Sequence, residues 1–341
     1  MKKSLMTLGV LALFVLMAYG QEKKFALYSV AFYNMENLFD TIHDEGKNDY
    51  EYLPNGTNQW NTMKYKAKLK NMSEILSMLS TDKLPMGPAI IGVSEIENYR
   101  VLEDILKQPA LADRGYRYVH YEGEDQRGVD CAFFYNPKLF ELTNSKLVPY
   151  VYINDTVHKT RGFLIASGNI AGEKMHFIVN HWPSRAAASP ARERAGEQVR
   201  AIKDSLLRED SAAKIVIMGD MNDDPMDKSM AVALGAKRKP ADVGPTDLYN
   251  PWWDTLKKGY GTLMYKGKWN LFDQIVFTGN LLGTDRSTLK FYKHEIFRRD
   301  FMFQKEGKYK GYPKRTQAGG VWLNGYSDHL PTIIYLIKEV K

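Results

Sequence analysis

Lys214-Ile-Val-Ile-Met-Gly-Asp-Met-Asn222 is the stretch from which the rest of the chain is read. The apolar run from Lys214 to Met218 stops at Gly219 and Asp220. A short continuous apolar run bounded in this way reads as a buried strand, and the carboxylate at its end falls where strand meets loop. The same grammar recurs along the sequence. Phe25 to Tyr33 ends at Asn34, Ala89 to Val93 ends at Glu95, and Met175 to Val179 ends at Asn180 and His181. Ile275 to Phe277 follows Asp273, and Ile333 to Ile337 follows Asp328 and His329. Groups able to do chemistry therefore collect at strand ends, where α/β enzymes place their sites.

Two helices lie between these strands. Leu69, Met72, Leu76 and Leu79 repeat at helical spacing, and so do Ala195, Val199, Ile202 and Leu206. The second is preceded by Ser189 as a candidate N-cap, with Pro190 in its first turn. No internal repeat or Pro/Gly/Ser-rich linker divides the sequence, so residues 21–341 read as one domain. Residues 40–60, 237–270 and 284–326 read as long loops, a feature often tied to function.

The 341 residues are 44% hydrophobic and 26% charged, which fits a globular chain with a sizeable core and excludes a disordered one. Lys2 and Lys3, an apolar run from Leu5 to Met17 and then Ala18-Tyr19-Gly20 have the order of a signal peptide, residues 1–20. The run is short for a membrane span, and no other segment is long and apolar enough for one. The expected destination is the periplasm or the medium. Cys131 is the only cysteine, so no internal disulfide forms, and its apolar surroundings read as core. Loss of the leader takes the formal charge from +7 to +5, a mild bias toward anionic substrates.

Phosphoester hydrolysis needs a hard cation, a base for water and donors for the transition-state charge. Asn34, Glu95, Asp220, Asn222, Asp273 and Asp328 supply oxygen atoms beside His181 and His329, and such ligands suit magnesium, manganese or calcium. No cysteine/histidine cluster of the kind zinc prefers is present.

Asn34-Met-Glu-Asn37, Ser94-Glu95, Asn180-His181-Trp182, Gly219-Asp220-Met-Asn222, Asp273-Gln-Ile-Val276 and Ser327-Asp328-His329, in this order, resemble the endonuclease/exonuclease/phosphatase superfamily over nearly the whole mature chain. Asn180-His-Trp-Pro-Ser-Arg185 is similar to its secreted bacterial branch. The resemblance implies an α/β four-layer sandwich, two mainly antiparallel sheets flanked by helices. It implies a magnesium-dependent hydrolase, with manganese or calcium as alternatives. Asn34, Glu95 and Asp328 would hold the metal. Asp220 and Asn222 would position water and a phosphate oxygen. Asp273 would pair with His329, and His181 would be the second imidazole. Arg127 and Arg185 are candidates for gripping phosphate, or are plain ion-pair partners.

The substrate stays open at this point. Nucleic acid is favoured, with small sugar, inositol or lipid phosphoesters as the rival, and a non-enzymatic phosphate-binding module as a third reading. Trp252, Trp253 and Trp269 stack a base or pack a loop. The basic run 286–315 lines a polyanion path or forms a solvated mixed surface. No protein partner is indicated.

Overall fold

The computed structural model describes residues 23–340 except Asn154 and Thr156. The leader expected over residues 1–20 lies outside the described residues. In chain order the strands are β1 (Lys24–Leu38), β2 (Ile90–Ile96), β3 (Arg117–His120), β4 (Asp130–Tyr135), β5 (Phe140–Val148), β6 (Phe163–Ile170), β7 (Glu173–His181), β8 (Lys214–Asp220), β9 (Ala236–Lys237), β10 (Leu248–Tyr249), β11 (Leu263–Tyr265), β12 (Lys268–Asn270), β13 (Asp273–Thr278), β14 (Lys290–Ile296), β15 (Gln317–Ala318), β16 (Val321–Trp322) and β17 (Thr332–Val340). The α-helices are α1 (Thr62–Met78), α2 (Tyr99–Leu106), α3 (Ser189–Glu209) and the short α4 (Trp253–Lys257).

Two mixed sheets result. One runs β14-β17-β1-β2-β4-β3 and the other β5-β6-β7-β8-β13-β10-β9. Most pairs are antiparallel, but β1 runs parallel to β2, β7 to β8 and β9 to β10. Side chains alternate across a strand, and here both faces of the central strands are apolar. Val30, Phe32, Phe177, Val179, Val216, Met218, Ile275, Phe277 and Ile334 fill the space between the sheets. Their neighbours point the other way. Ala31, Tyr33, Ile91 and Ile333 pack under Leu69, Met72 and Leu76 of α1 and Val101 and Ile105 of α2. Ile178, Ile215, Ile217 and Val276 pack under Ala195, Val199 and Leu206 of α3. Three apolar layers between helix, sheet, sheet and helix make the expected four-layer sandwich.

Some local expectations change. Ser189 is the first residue of α3 and not its cap. Ala188 holds the cap position without a side-chain bond, and Ser189 instead donates to Glu193 at 3.2 Å. The stretches read as long loops carry α4 and the short strands β9 to β12 and β14 to β16. Six of these strands have two or three residues, too few to show a period of two, and the seven residues of β14, Lys-Phe-Tyr-Lys-His-Glu-Ile, do not alternate apolar with polar. Trp252 is fully buried and donates to the Ile275 carbonyl at 2.9 Å. It packs the core and is closed to a substrate base.

Cys131 is also interior. Burial, reinforced by the Asp130 charge, pushes its thiol well above the usual range. A thiolate is the reactive form. Native protein is therefore expected to resist alkylation by iodoacetamide at neutral pH and to react fully in guanidinium. Rapid labelling of the folded chain would place the thiol at the surface.

Candidate active site

The alternation that fills the core also builds the site. Asn34 continues the inward-facing series of Val30 and Phe32, His181 that of Phe177 and Val179, Asp220 that of Val216 and Met218, and Asp273 shares the face of Ile275 and Phe277. All four therefore point between the sheets. The register then aligns them. His181 sits opposite Asp220 across the parallel pair β7–β8, and Asp220 sits opposite Asp273 across β8–β13. Gly219 keeps this row close, because a Cβ there would lie 2.3 Å from the Asn180 carbonyl oxygen. From the facing sheet, Asn34 Nδ2 donates to Asp220 Oδ2 at 3.0 Å.

Glu95 enters through local strain. The β1–β2 register shifts between Asn34 and Leu38, and Glu36, Asn37 and Glu95 adopt left-handed backbone at φ 45°, 53° and 61°. Residues with side chains rarely do so unless their surroundings enforce it. The result is that the Asn37 N–H donates to Glu95 Oε2 at 2.8 Å, while Glu95 Oε1 lies 3.7 Å from His181 Nε2. Asn222, at φ 52°, turns back so that its N–H reaches Asp220 Oδ1 at 2.9 Å.

His329 completes the group from the loop before β17. Its Nδ1–H donates to Asp273 Oδ2 at 2.7 Å, and its Nε2 lies 3.8 Å from Asp220 Oδ2. Ser327 fixes the loop, donating to the Asn34 carbonyl at 2.8 Å and accepting from the His329 N–H at 3.1 Å.

Electrostatics separates the two imidazoles. Burial disfavours charge on His329, but Asp273 and Asp220 outweigh it and hold the ring protonated well above the ordinary range. His181 makes no hydrogen bond to a carboxylate: Glu95 and Asp220 stay 3.7 and 3.8 Å from its Nε2, and its Nδ1 is unpartnered. Burial, and then the positive charges of Arg161 and Arg127, keep it neutral. Asp220 is raised to about 7, first by burial and further by Asp273 and Glu95, against the pull of His329.

These residues fit a hard divalent cation. Asp220 and Asp273 offer carboxylate oxygens within 4.8 Å of one another, and Asp273 Oδ1 is buried with no hydrogen-bond partner. Glu95 adds oxygen on the far side of His181. Buried like charges without full compensation are costly, and a cation among them relieves that cost. The expected ligands are differently engaged. Asn34 Oδ1 accepts from the Glu36 N–H at 2.8 Å, and Asp328 Oδ2 pairs with Arg315 at 2.9 Å.

Arg315, Glu36 and Lys68 were not expected here. Arg315 bridges Asp328 and Glu36, the latter at 2.8 Å. Lys68 is fully buried on α1, donates to Thr316 Oγ1 at 2.5 Å and the Tyr326 carbonyl at 2.6 Å, and lies 3.8 Å from Glu36. The pair ties the 315–328 segment to the core. Lys68 falls on the apolar stripe with Tyr65, Leu69 and Met72, and a charge on a buried stripe is a signal that sequence could have yielded.

The other arginines sit further out. Arg127 is half exposed, with Asp125 at 3.8 Å. Arg185 is held by Asp227 at 2.9 Å and by Asp223 and Asp224 at 3.3 Å, over the Phe272 ring. Arg161 is buried between Asp125 and the Trp182 carbonyl.

The family model described as "Endonuclease/Exonuclease/phosphatase family" matches residues 29–338. The chain belongs to this family. Its members are phosphoester hydrolases of the nuclease and phosphatase type, and this chain is one. Enzymes of the family depend on divalent metal. No curated protein matches the sequence. Among solved structures, a family protein from Bacteroides thetaiotaomicron is similar at 15% identity and TM-score 0.58, covering 93% of this chain and 97% of that one. A mannosyl-6-phosphatase from the same organism has 14% identity and TM-score 0.56, covering 91% and 99%. D. rerio TDP2 complexed with a single-strand DNA product has 14% identity and TM-score 0.53, also covering 91% and 99%. At these identities the likeness is one of fold, and fold does not choose a substrate.

Proposed function

We propose that this protein is an exported, divalent-metal-dependent phosphoesterase that attacks phosphodiesters with water, nucleic acid being the favoured substrate. The observation that carries the reading is the row His181, Asp220, Asp273 and His329 facing Asn34 and Glu95 across the sheets. Glu95 would hold the cation beside Asp220 and Asp273, joined by Asn34 and Asp328 once these turn from the Glu36 N–H and Arg315, and the ion would supply charge neutralisation at the phosphoryl oxygens. The chain's own groups do the rest. Asp220, raised to about 7, is poised to accept a proton from water at neutral pH. Asp273 fixes the His329 ring, and the cationic ring donates to a phosphoryl oxygen as charge builds. Neutral His181 offers a second donor, and Arg127 stands at the rim for the phosphate.

A second reading rests on a separate observation. A cavity of about 200 Å3 is lined by Glu36, Asn37, Tyr52, Asn58, Trp60 and Arg315 among others, and meets the site through Asn37, whose N–H donates to Glu95. Its size and polar lining favour a small sugar phosphoester. The test is turnover by purified protein with magnesium on DNA, RNA, bis-p-nitrophenyl phosphate and p-nitrophenyl phosphate. Hydrolysis of the nucleic acids and of the diester ahead of the monoester is expected. Preference for the monoester with nucleic acid untouched would move the assignment to the small-phosphoester reading, and inertness toward all four would remove both.

Export belongs to the same proposal, resting on the order of charge, apolar run and small residues in 1–20. No helix among the described residues is long and apolar enough to cross a membrane. Mass spectrometry of the periplasmic or secreted protein is expected to find a chain starting near Gln21. An intact Met1 terminus on cytoplasmic protein would contradict this.

A further inference from the structure

The basic run after β14 is not uniform surface. Arg298, Arg299, Lys305 and Lys310 converge on a cavity of about 400 Å3, with Asp300 the one acid among its lining residues. The loop holds them there. Gln304 N–H donates to the Tyr312 carbonyl at 2.8 Å, Gly311 N–H to the Gln304 carbonyl at 2.8 Å, and Lys314 N–H to the Met302 carbonyl at 2.7 Å. This closure brings the stems of Lys305 and Lys310 together.

The charges are uncompensated. Among the described residues none of the four cations pairs with a carboxylate. Arg298 is half-buried against the rings of Trp269, Phe303 and Tyr260, with its guanidinium carbon 4.8, 4.9 and 5.6 Å from their centroids. Its Nη1 is shut off from solvent and has no acceptor, and Gln304 Oε1, in the same lining, is likewise unpartnered. A guanidinium carries five donors in a planar fork matched to phosphate. Here the rings fix the fork while nothing in the chain fills it. Arg185, by contrast, has three carboxylates around it.

The cavity is also tied to the catalytic end. Leu263 bridges to His329, Leu330 N–H donates to the Thr262 carbonyl at 2.8 Å, and Met264 pairs with Trp269, whose ring carries Arg298. The exposed ring of Tyr260, which Arg298 faces at 5.6 Å, is an aromatic surface on which a base can stack.

We propose that this cavity binds a second phosphate of the substrate, a backbone phosphate of a nucleic-acid strand whose scissile phosphate lies at Asp220 and His329. The inference rests on the phosphodiesterase reading above and adds where the strand goes. Each cation placed on a phosphate releases counterions, so binding through this cavity is salt-dependent.

The test uses the full mature protein, with binding of a labelled 12-nucleotide single-stranded DNA followed by fluorescence anisotropy in EDTA over a range of salt. The exposed double variant Lys305→Gln/Lys310→Gln is expected to weaken binding about tenfold at low salt. It is also expected to flatten the slope of log K against log salt by about 0.7, the single-strand value for one phosphate. Hydrolysis of bis-p-nitrophenyl phosphate with magnesium should not change. Arg298→Gln should lose at least as much affinity, and its thermal midpoint reports whether it folds. The lysine variant carries the test alone if it does not. Unchanged affinity and slope in the lysine variant overturn the proposal. Tripolyphosphate in the same assay separates the sources. A loss confined to tripolyphosphate places a small polyphosphate in the cavity and overturns the strand. Lysine-dependent strand binding by a protein that hydrolyses no phosphoester would keep the cavity and remove the active-site reading. Normal diester hydrolysis with lysine-independent binding would do the reverse.

Discussion

His329→Ala and Asp220→Asn are each expected to lower kcat by at least about a hundredfold, the low end for proton-transfer and charge-stabilising groups. The first removes the ring that Asp273 holds at 2.7 Å and that lies 3.8 Å from Asp220. The second keeps the shape of the carboxylate but takes away its ability to receive a proton. Single-turnover rates on bis-p-nitrophenyl phosphate separate chemistry from product release. A near-normal rate in either variant removes that residue from the mechanism.

Stability should move the other way for the aspartate. The Asp220 carboxyl is raised by burial, with Asp273 and Glu95 adding to it, to about 7. A raised carboxyl disfavours the folded state increasingly as pH climbs from its ordinary value of 3.8 toward 7, and the cost is then constant. Asp220→Asn removes that cost. In chelated protein at pH 8 its thermal midpoint should equal or exceed that of the parent, so loss of activity is not loss of fold.

Much of this arrangement was legible beforehand because two periodicities carried it. The run Lys214 to Met218 is apolar on both faces, which marks a strand covered on both sides, and Asp220 inherits the direction of Met218. The same holds for Asn34 after Phe32 and His181 after Val179. The strand ends therefore mark Asn34, His181, Asp220 and Asp273 in the sequence, and the observed alternation turns all four between the sheets. What could not be read was set by contacts distant in sequence. Glu36 meets Arg315 across almost the whole chain, and nothing local distinguishes Arg315 from Lys314 or Arg299. Glu95 and Asn37 owe their geometry to left-handed backbone, which neither residue type announces. The short strands β9 to β12 pair through two or three residues each, too few to leave a pattern. For the same reason the sequence leaves Trp252 open between stacking a base and packing a loop. Its burial depends on β13, a partner that its own neighbourhood does not reveal.

The metal requirement is the central claim and the second large effect. Asp220, Asp273 and Glu95 crowd negative charge into a buried space where Asp273 Oδ1 has no donor, and one protonated imidazole does not balance them. The direct measurement is turnover of bis-p-nitrophenyl phosphate by protein treated with EDTA and freed of chelator, before and after adding back magnesium or manganese. Activity is expected to fall to background and to return with either ion. Full turnover by thoroughly chelated protein would contradict the account.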